Sequence, residues 1–280
     1  MAIQQPSRRA FTGLLTSGAG LLALSACTPA SNTPSTAAAD TPIGSPSPTV
    51  TATSASPAVT PTDVAATPLP SATPSSAAAP RFSLTDPTSP WVVVNKHRPL
   101  NPQNFVPADL VQPNIRLAVS GEASLVNSTT AAAAEKMFGA AAAEGVIMTL
   151  ASGYRSYTTQ VATYNGYVAS TGQTAADRAS ARPGHSEHQT GWAFDIGDGG
   201  GACSFQPCFA EQPAAVWAKA NASKFGFVVR YPWMFHETTG YFYESWHLRY
   251  VGVEAATDMA ARGIATLEEY FGLEAAPDYL

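Results

Sequence analysis

Apolar residues along the last 200 positions of the chain fall into unbroken, alternating and helical spacings, and the changes between them mark out the elements. WVVVNK (residues 91–96) is a dense β-branched run cut off by Pro99 and Pro102, which predicts a strand. STTAAAAEKMFGAAAAEG (128–145) predicts a helix capped by Ser128 and ended by Gly145, because alanine loses least on entering a helix. VIMTLASGYRS (146–156) predicts a strand running into a loop that delivers Arg155 at its end. TTQVATYNGYVAS (158–170), with Tyr and Val at helical spacing, predicts a second helix. PAAVWAKANASKFG (213–226) predicts a third helix, ended by Gly226. FVVRY (227–231) and ESWHLRYVG (244–252) read as strands, and TDMAARG (257–263) and TLEEYFG (266–272) as short closing helices. These elements follow no regular βαβ repeat, so the expected fold class is α+β, a largely antiparallel central sheet with helices packed on it.

The first 80 residues follow different rules. SRRAFTGLL (7–15) carries an arginine pair, an apolar run extends to Leu24, and LSAC (24–27) closes it, which reads as an export signal and not as a fold element. Its start resembles a twin-arginine signal and its end a bacterial lipobox, with Cys27 as the lipidated residue. From 28 to 80 the chain is mostly Ala, Thr, Pro and Ser, with no Lys, Arg or aromatic residue and only Asp40 and Asp63 charged. Such a stretch buries too little apolar surface to offset its ordering entropy, so a disordered tether is expected. At ~3.1 Å per residue it reaches on the order of 100 Å if mostly extended. The expected organisation is therefore signal (1–27), tether (28–80) and one domain (81–280), at the outer face of a cytoplasmic membrane and held there by lipid alone.

Charge and cysteines narrow the partners. The domain holds 13 Lys and Arg against 18 Asp and Glu, a balance that argues against nucleic acid. Cys203 and Cys208, an even pair in an exported domain, are expected to form a short-range disulfide. Nothing in the sequence calls for more than a monomer.

Two clusters carry chemistry: PGHSEHQTGWAFDIGD (183–198) and ESWH (244–247). Imidazole nitrogen and carboxylate oxygen are natural zinc donors, and a catalytic zinc takes three protein ligands while keeping one position open. His188, Asp195 and His247 would make such a set, and Glu244, three residues before His247, could serve as the base for the bound water. Serine-type D,D-peptidases need Ser-x-x-Lys and Lys-Thr-Gly. None of Lys96, Lys136, Lys219 and Lys224 lies in either, so that chemistry is excluded.

SGYRS from Ser152, PGHSEHQTGWAFDI from Pro183, GFVVRYP from Gly226 and TGYFYESWHLRYVG from Thr239 together resemble the VanY-type D-alanyl-D-alanine carboxypeptidases, relatives of the VanX dipeptidases. The resemblance spans nearly all of the domain, in order, and includes VNKHRPLNPQNFVPADLV (94–111). It implies a zinc domain of the hedgehog and D,D-peptidase type with one Zn2+ on His188, Asp195 and His247. It further implies Glu244 as base, Arg155 as oxyanion partner, and Gln160 and Ser186 as substrate contacts. The implied substrate is a peptidoglycan stem peptide ending in D-Ala-D-Ala, shortened by one D-alanine. His185 falls on a variable position of the motif. Ser245 stands where many relatives have proline, which is expected to loosen a turn beside Glu244, and Trp192 is expected either to pack in the core or to narrow the site. A dipeptidase or endopeptidase would use the same ligands, and a wall-binding protein would keep the zinc but not need the base.

Overall fold

The computed structural model describes residues 81–280; the expected signal, Cys27 and the tether lie outside the described residues. In chain order the elements are β1 (Leu110–Val111), β2 (Val126–Asn127), α1 (Ser128–Ala143), β3 (Met148–Ser152), α2 (Tyr157–Thr171), α3 (Gln173–Ala179), β4 (Ala193–Asp198), α4 (Pro213–Asn221), β5 (Phe227–Tyr231), α5 (His236–Thr239), β6 (Glu244–Tyr250), α6 (Val253–Arg262) and α7 (Leu267–Tyr270). β1 and β2 pair as a small ribbon, and the main sheet runs β3-β4-β6-β5, antiparallel throughout. The fold is α+β. No helix among the described residues is long and apolar enough to cross a membrane.

Strand periodicity separates core from site. In β4, Phe194 and Ile196 point to one face and Asp195 to the other. In β6, Leu248 shares the face of Phe194, its cross-strand partner, while His247 lies opposite Asp195. The first face, with Leu150 and Phe227, packs on Ala134, Met137 and Phe138 of α1 and Trp217 and Ala218 of α4. Each large side chain so buried contributes roughly 1.5–3 kcal/mol. That packing pins the register, and the register sets Asp195 between Ser152 of β3 and His247 of β6.

Several expectations shift. WVVVNK, buried from Val92 on, makes no ladder. Side chains take the place of a partner strand: Arg249 donates to the Pro90 and Val92 carbonyls at 2.9 and 2.8 Å, and Arg98 to those of Val93 and Leu84 at 3.2 and 2.8 Å. Asn127, not Ser128, caps α1, its Oδ1 accepting from the Thr129 N–H at 2.9 Å. The third helix stops at Asn221 and tightens into a 3-10 turn (Ala222–Phe225) before Gly226, whose φ of 89° ends it. Ser245 lies inside β6 and not in a turn, so the loosening expected beside Glu244 has no place to act. Trp192 packs in the core with Val92, Val94 and Leu100, stacked on Tyr250 at 5.9 Å.

Gly153 follows β3 where the backbone is tightest. A Cβ there would collide with the Leu125 carbonyl oxygen and come within 2.8 Å of that of Ala123. The expected result for Gly153→Ala is a loss of about 1–3 kcal/mol in thermal unfolding. Because the Gly153 carbonyl also faces His188, metal affinity is expected to fall in the same variant when measured by titration.

Candidate active site and metal centre

The metal-ligating set of the sequence converges. Single donor atoms of His188, Asp195 and His247 lie within 4.8 Å of one another, all three residues buried. His188 sits in a 3-10 turn (Glu187–Thr190) ended by Gly191 in the left-handed region, and Gln189 ties the turn to the Gln103 and Phe105 carbonyls at 2.9 and 3.0 Å. Its Nε2 is 3.3 Å from Asp195 Oδ2, and its Nδ1 is 2.8 Å from the Gly153 carbonyl oxygen. A carbonyl only accepts, so that nitrogen carries the proton and Nε2 presents a lone pair. His247 Nδ1 is 3.1 Å from Asp195 Oδ1, and the two rings stand perpendicular with centroids 4.9 Å apart. Asp195 Oδ1 is buried and, with His247 Nδ1 3.1 Å away, makes no aligned hydrogen bond. A buried carboxylate with one oxygen toward each of two imidazoles fits a cation, and two His and one Asp suit zinc.

Charge follows this geometry. Burial would raise the Asp195 carboxyl, but His188 and His247 hold it well below the usual range. Burial lowers His188 despite Asp195. His247 is pushed up to about 9, because the Asp195 and Glu187 carboxylates on its two sides overcome its burial. Glu244 opens β6 with Oε2 3.7 Å from His247 Nδ1, and burial raises it to about 7 although His247 opposes the shift.

These groups line a cavity of about 510 Å³ that also takes in Arg155, Ser186, Arg178, Phe205, Tyr231 and Trp246. Arg155 donates to Gln160 Oε1 at 2.9 Å and to Ser152 Oγ at 3.2 Å. Gln160 is fully buried, spends its amide on Ser180 Oγ and the Ala181 carbonyl, and does not line the cavity. The geometry gives its Oε1 a hold on Arg155. His185 is elsewhere, its Nδ1 2.8 Å from the Asn95 carbonyl.

Cys203 and Cys208 are in bonding contact with Cα atoms 5.6 Å apart. Their loop presents Phe205 to the cavity, where its ring packs edge-on against Trp246 at 6.1 Å. The double variant Cys203→Ala, Cys208→Ala is expected to lose about 2 kcal/mol of stability. In steady-state kinetics it should raise KM and leave kcat near that of the parent.

Two residues of this region went unremarked in the sequence. Tyr231 sets its ring 4.9 Å from that of His247. Glu187, wholly buried, reaches His247 from behind at 3.3 Å. The signal for Glu187 was available: Arg230 and Arg249 stand at interior positions of apolar strands, and buried guanidinium groups demand buried carboxylates.

A three-donor set with a high-pKa carboxylate beside it and a guanidinium in the same cavity suits hydrolysis at a single metal ion. Residues 123–253 match the family model of VanY, D-alanyl-D-alanine carboxypeptidase. YodJ of Bacillus subtilis, a carboxypeptidase by designation, is 38% identical over 191 residues, 68% of this chain and 69% of that protein. Among solved structures, the LdcB LD-carboxypeptidase superposes with a TM-score of 0.62 at 38% identity, over 66% of this chain and 87% of that one. The vancomycin-resistance D,D-pentapeptidase VanY from a VanB-type cassette, solved in complex with Zn(II), gives 0.54 at 34% identity, over 64% of this chain and 97% of that one. The chain belongs to the VanY family and is a peptidase with the fold of that family.

Proposed function

We propose that this protein is a zinc carboxypeptidase that releases the terminal D-alanine from peptidoglycan stem peptides at the outer face of the cytoplasmic membrane, anchored through Cys27 and the tether. One observation carries the metal: the buried Asp195 carboxylate, whose two oxygens face imidazole nitrogens of His247 and His188 while the opposite ring nitrogens are already engaged. Zinc held by His188 Nε2, Asp195 and His247 Nδ1 would supply a Lewis acid and a water acidified from 15.7 toward about 7. Glu244 takes the proton of the attacking water and returns it to the leaving amine, a task suited to a carboxyl near pH 7. Arg155 faces the oxyanion that develops on the scissile carbonyl. The burial of Ser186 on the cavity wall supports a role as a peptide contact.

The likeness to an LD-carboxypeptidase at higher identity than to the D,D-pentapeptidase favours a second reading of the bond cut, an L,D bond in a tetrapeptide. Both readings share the site and the released D-alanine. D-alanine release from stem pentapeptide and tetrapeptide, with and without chelator and penicillin, tests them. Expected is release that stops on chelation and is indifferent to penicillin. Pentapeptide cleavage alone establishes the D,D bond and tetrapeptide cleavage alone the L,D bond. Bound zinc and bound peptide without release would leave a wall-binding protein.

A further inference from the structure

We infer that Glu187 is a positioning residue of the metal centre, holding the His247 ring with its proton on Nε2 so that the Nδ1 lone pair faces Asp195 and His188. The inference rests on the reading of these three residues as metal ligands. A neutral imidazole has one donor and one acceptor nitrogen, and whatever faces the first decides what the second offers. His247 Nε2 is 3.3 Å from Glu187 Oε2, while its Nδ1 lies 3.1 Å from Asp195 Oδ1. The other oxygen of Glu187 accepts from Arg230 Nε at 2.8 Å and from Arg249 Nη1 at 2.9 Å. Both arginines donate to Oε1, so Oε2 faces the ring as an acceptor. Nδ1 also faces a carboxylate, that of Asp195, so Nε2 is the nitrogen that keeps its proton when a cation takes the place beside Nδ1.

Every member of this cluster is held from a further side. Arg230 also forms a two-point pair with Glu268 at 2.7 and 2.9 Å, and Glu268 accepts from Asn95 Nδ2 at 3.0 Å. Arg249 reaches the Pro90 and Val92 carbonyls. The four charged side chains are 0–1% exposed, and two positive charges meet two negative ones. A buried network of this kind is tolerable only when complete, and when complete it is rigid. Rigidity here is transmitted to one ring edge, which is what a metal ligand requires of its outer partner.

Gln is an informative replacement, because its amide cannot satisfy both neighbours as the carboxylate does. With the arginines on one side, the amide oxygen turns to them and the NH2 turns to His247 Nε2. That nitrogen must then accept, which moves the ring proton to Nδ1, toward the metal position. The control is Glu268→Gln, which removes the same charge from the same arginine cluster without touching His247.

Zinc affinity by competition with a chromophoric chelator, with folding followed by circular dichroism, tests the inference. Glu187→Gln is expected to bind zinc roughly 10–100-fold more weakly, and Glu268→Gln within about threefold of the parent. A folded Glu187→Gln with parental affinity, or an equal loss in Glu268→Gln, overturns the positioning role and leaves the metal centre standing. A parent that binds no zinc overturns both. Long-range nitrogen-15 NMR of the zinc-loaded parent decides the matter even where Glu187→Gln fails to fold. A His247 ring protonated on Nε2 supports the inference, and one protonated on Nδ1 overturns it.

Discussion

Glu244→Gln is expected to lower kcat for D-alanine release by about 10²–10⁴, the range a positioned general base supplies, with zinc binding retained. The two side chains have the same shape, so the cavity keeps its form and only the proton acceptor is lost. Retained zinc, measured by elemental analysis, separates this loss from damage to the His188, Asp195 and His247 set. The same variant should change stability in the opposite sense. In the metal-free protein burial raises the Glu244 carboxyl from 4.5 to about 7. The folded state therefore holds a proton that the unfolded state has released, and stability falls as pH rises from about 4.5 to about 7. Gln removes that dependence. Above pH 7 the metal-free variant should melt higher than the metal-free parent, a result consistent with a base kept at the expense of the fold. A variant with full kcat would remove Glu244 from the role of base, and a metal-free parent and variant that melt alike at pH 8 would remove the raised carboxyl.

How far the sequence reveals this site depends on the range of the contacts. Helices α1 and α2 and strands β3, β5 and β6 are visible because their patterns are local: alanine-rich stretches, β-branched runs, glycines at the ends. The ligand set is visible as a motif, since His188 and Asp195 lie seven residues apart on a turn and the strand it feeds. Strand β4 is hidden inside that motif, because AFDIGD places two acids and a glycine, all strand-disfavouring residues, in a run of six. WVVVNK misleads for the opposite reason. It has the composition of a strand, yet what satisfies its Val92 carbonyl is the side chain of Arg249, more than 150 residues away. Helix α3 has only one buried residue, Ala176, and so little apolar rhythm to read. The Glu187 cluster depends on four residues from four separate segments, and only the pairing of β5 with β6 brings its arginines together.

Arg155→Met is expected to lower kcat by about 10²–10³, the cost of removing one donor from an oxyanion site, with zinc affinity kept or slightly improved. Arg155 stands just beyond the C-terminal end of β3 with its guanidinium on Gln160 Oε1 and Ser152 Oγ, both neutral, and no carboxylate among the described residues lies within ion-pair distance. Its charge is thus positioned but uncompensated, which is what a group reserved for a developing negative charge looks like. The sign on the metal follows from the same charge: Arg155 disfavours a proton on His188, and by the same repulsion it disfavours a cation there. Met fills similar volume without that repulsion. Arg155→Lys keeps the charge but loses the fork that Gln160 and Ser152 orient, so its kcat should fall between Met and the parent. Equal kcat for Lys and Met would mean that the fork matters and the charge does not. An unchanged kcat in Met with a raised KM would move Arg155 from the reacting carbonyl to ground-state binding of the peptide.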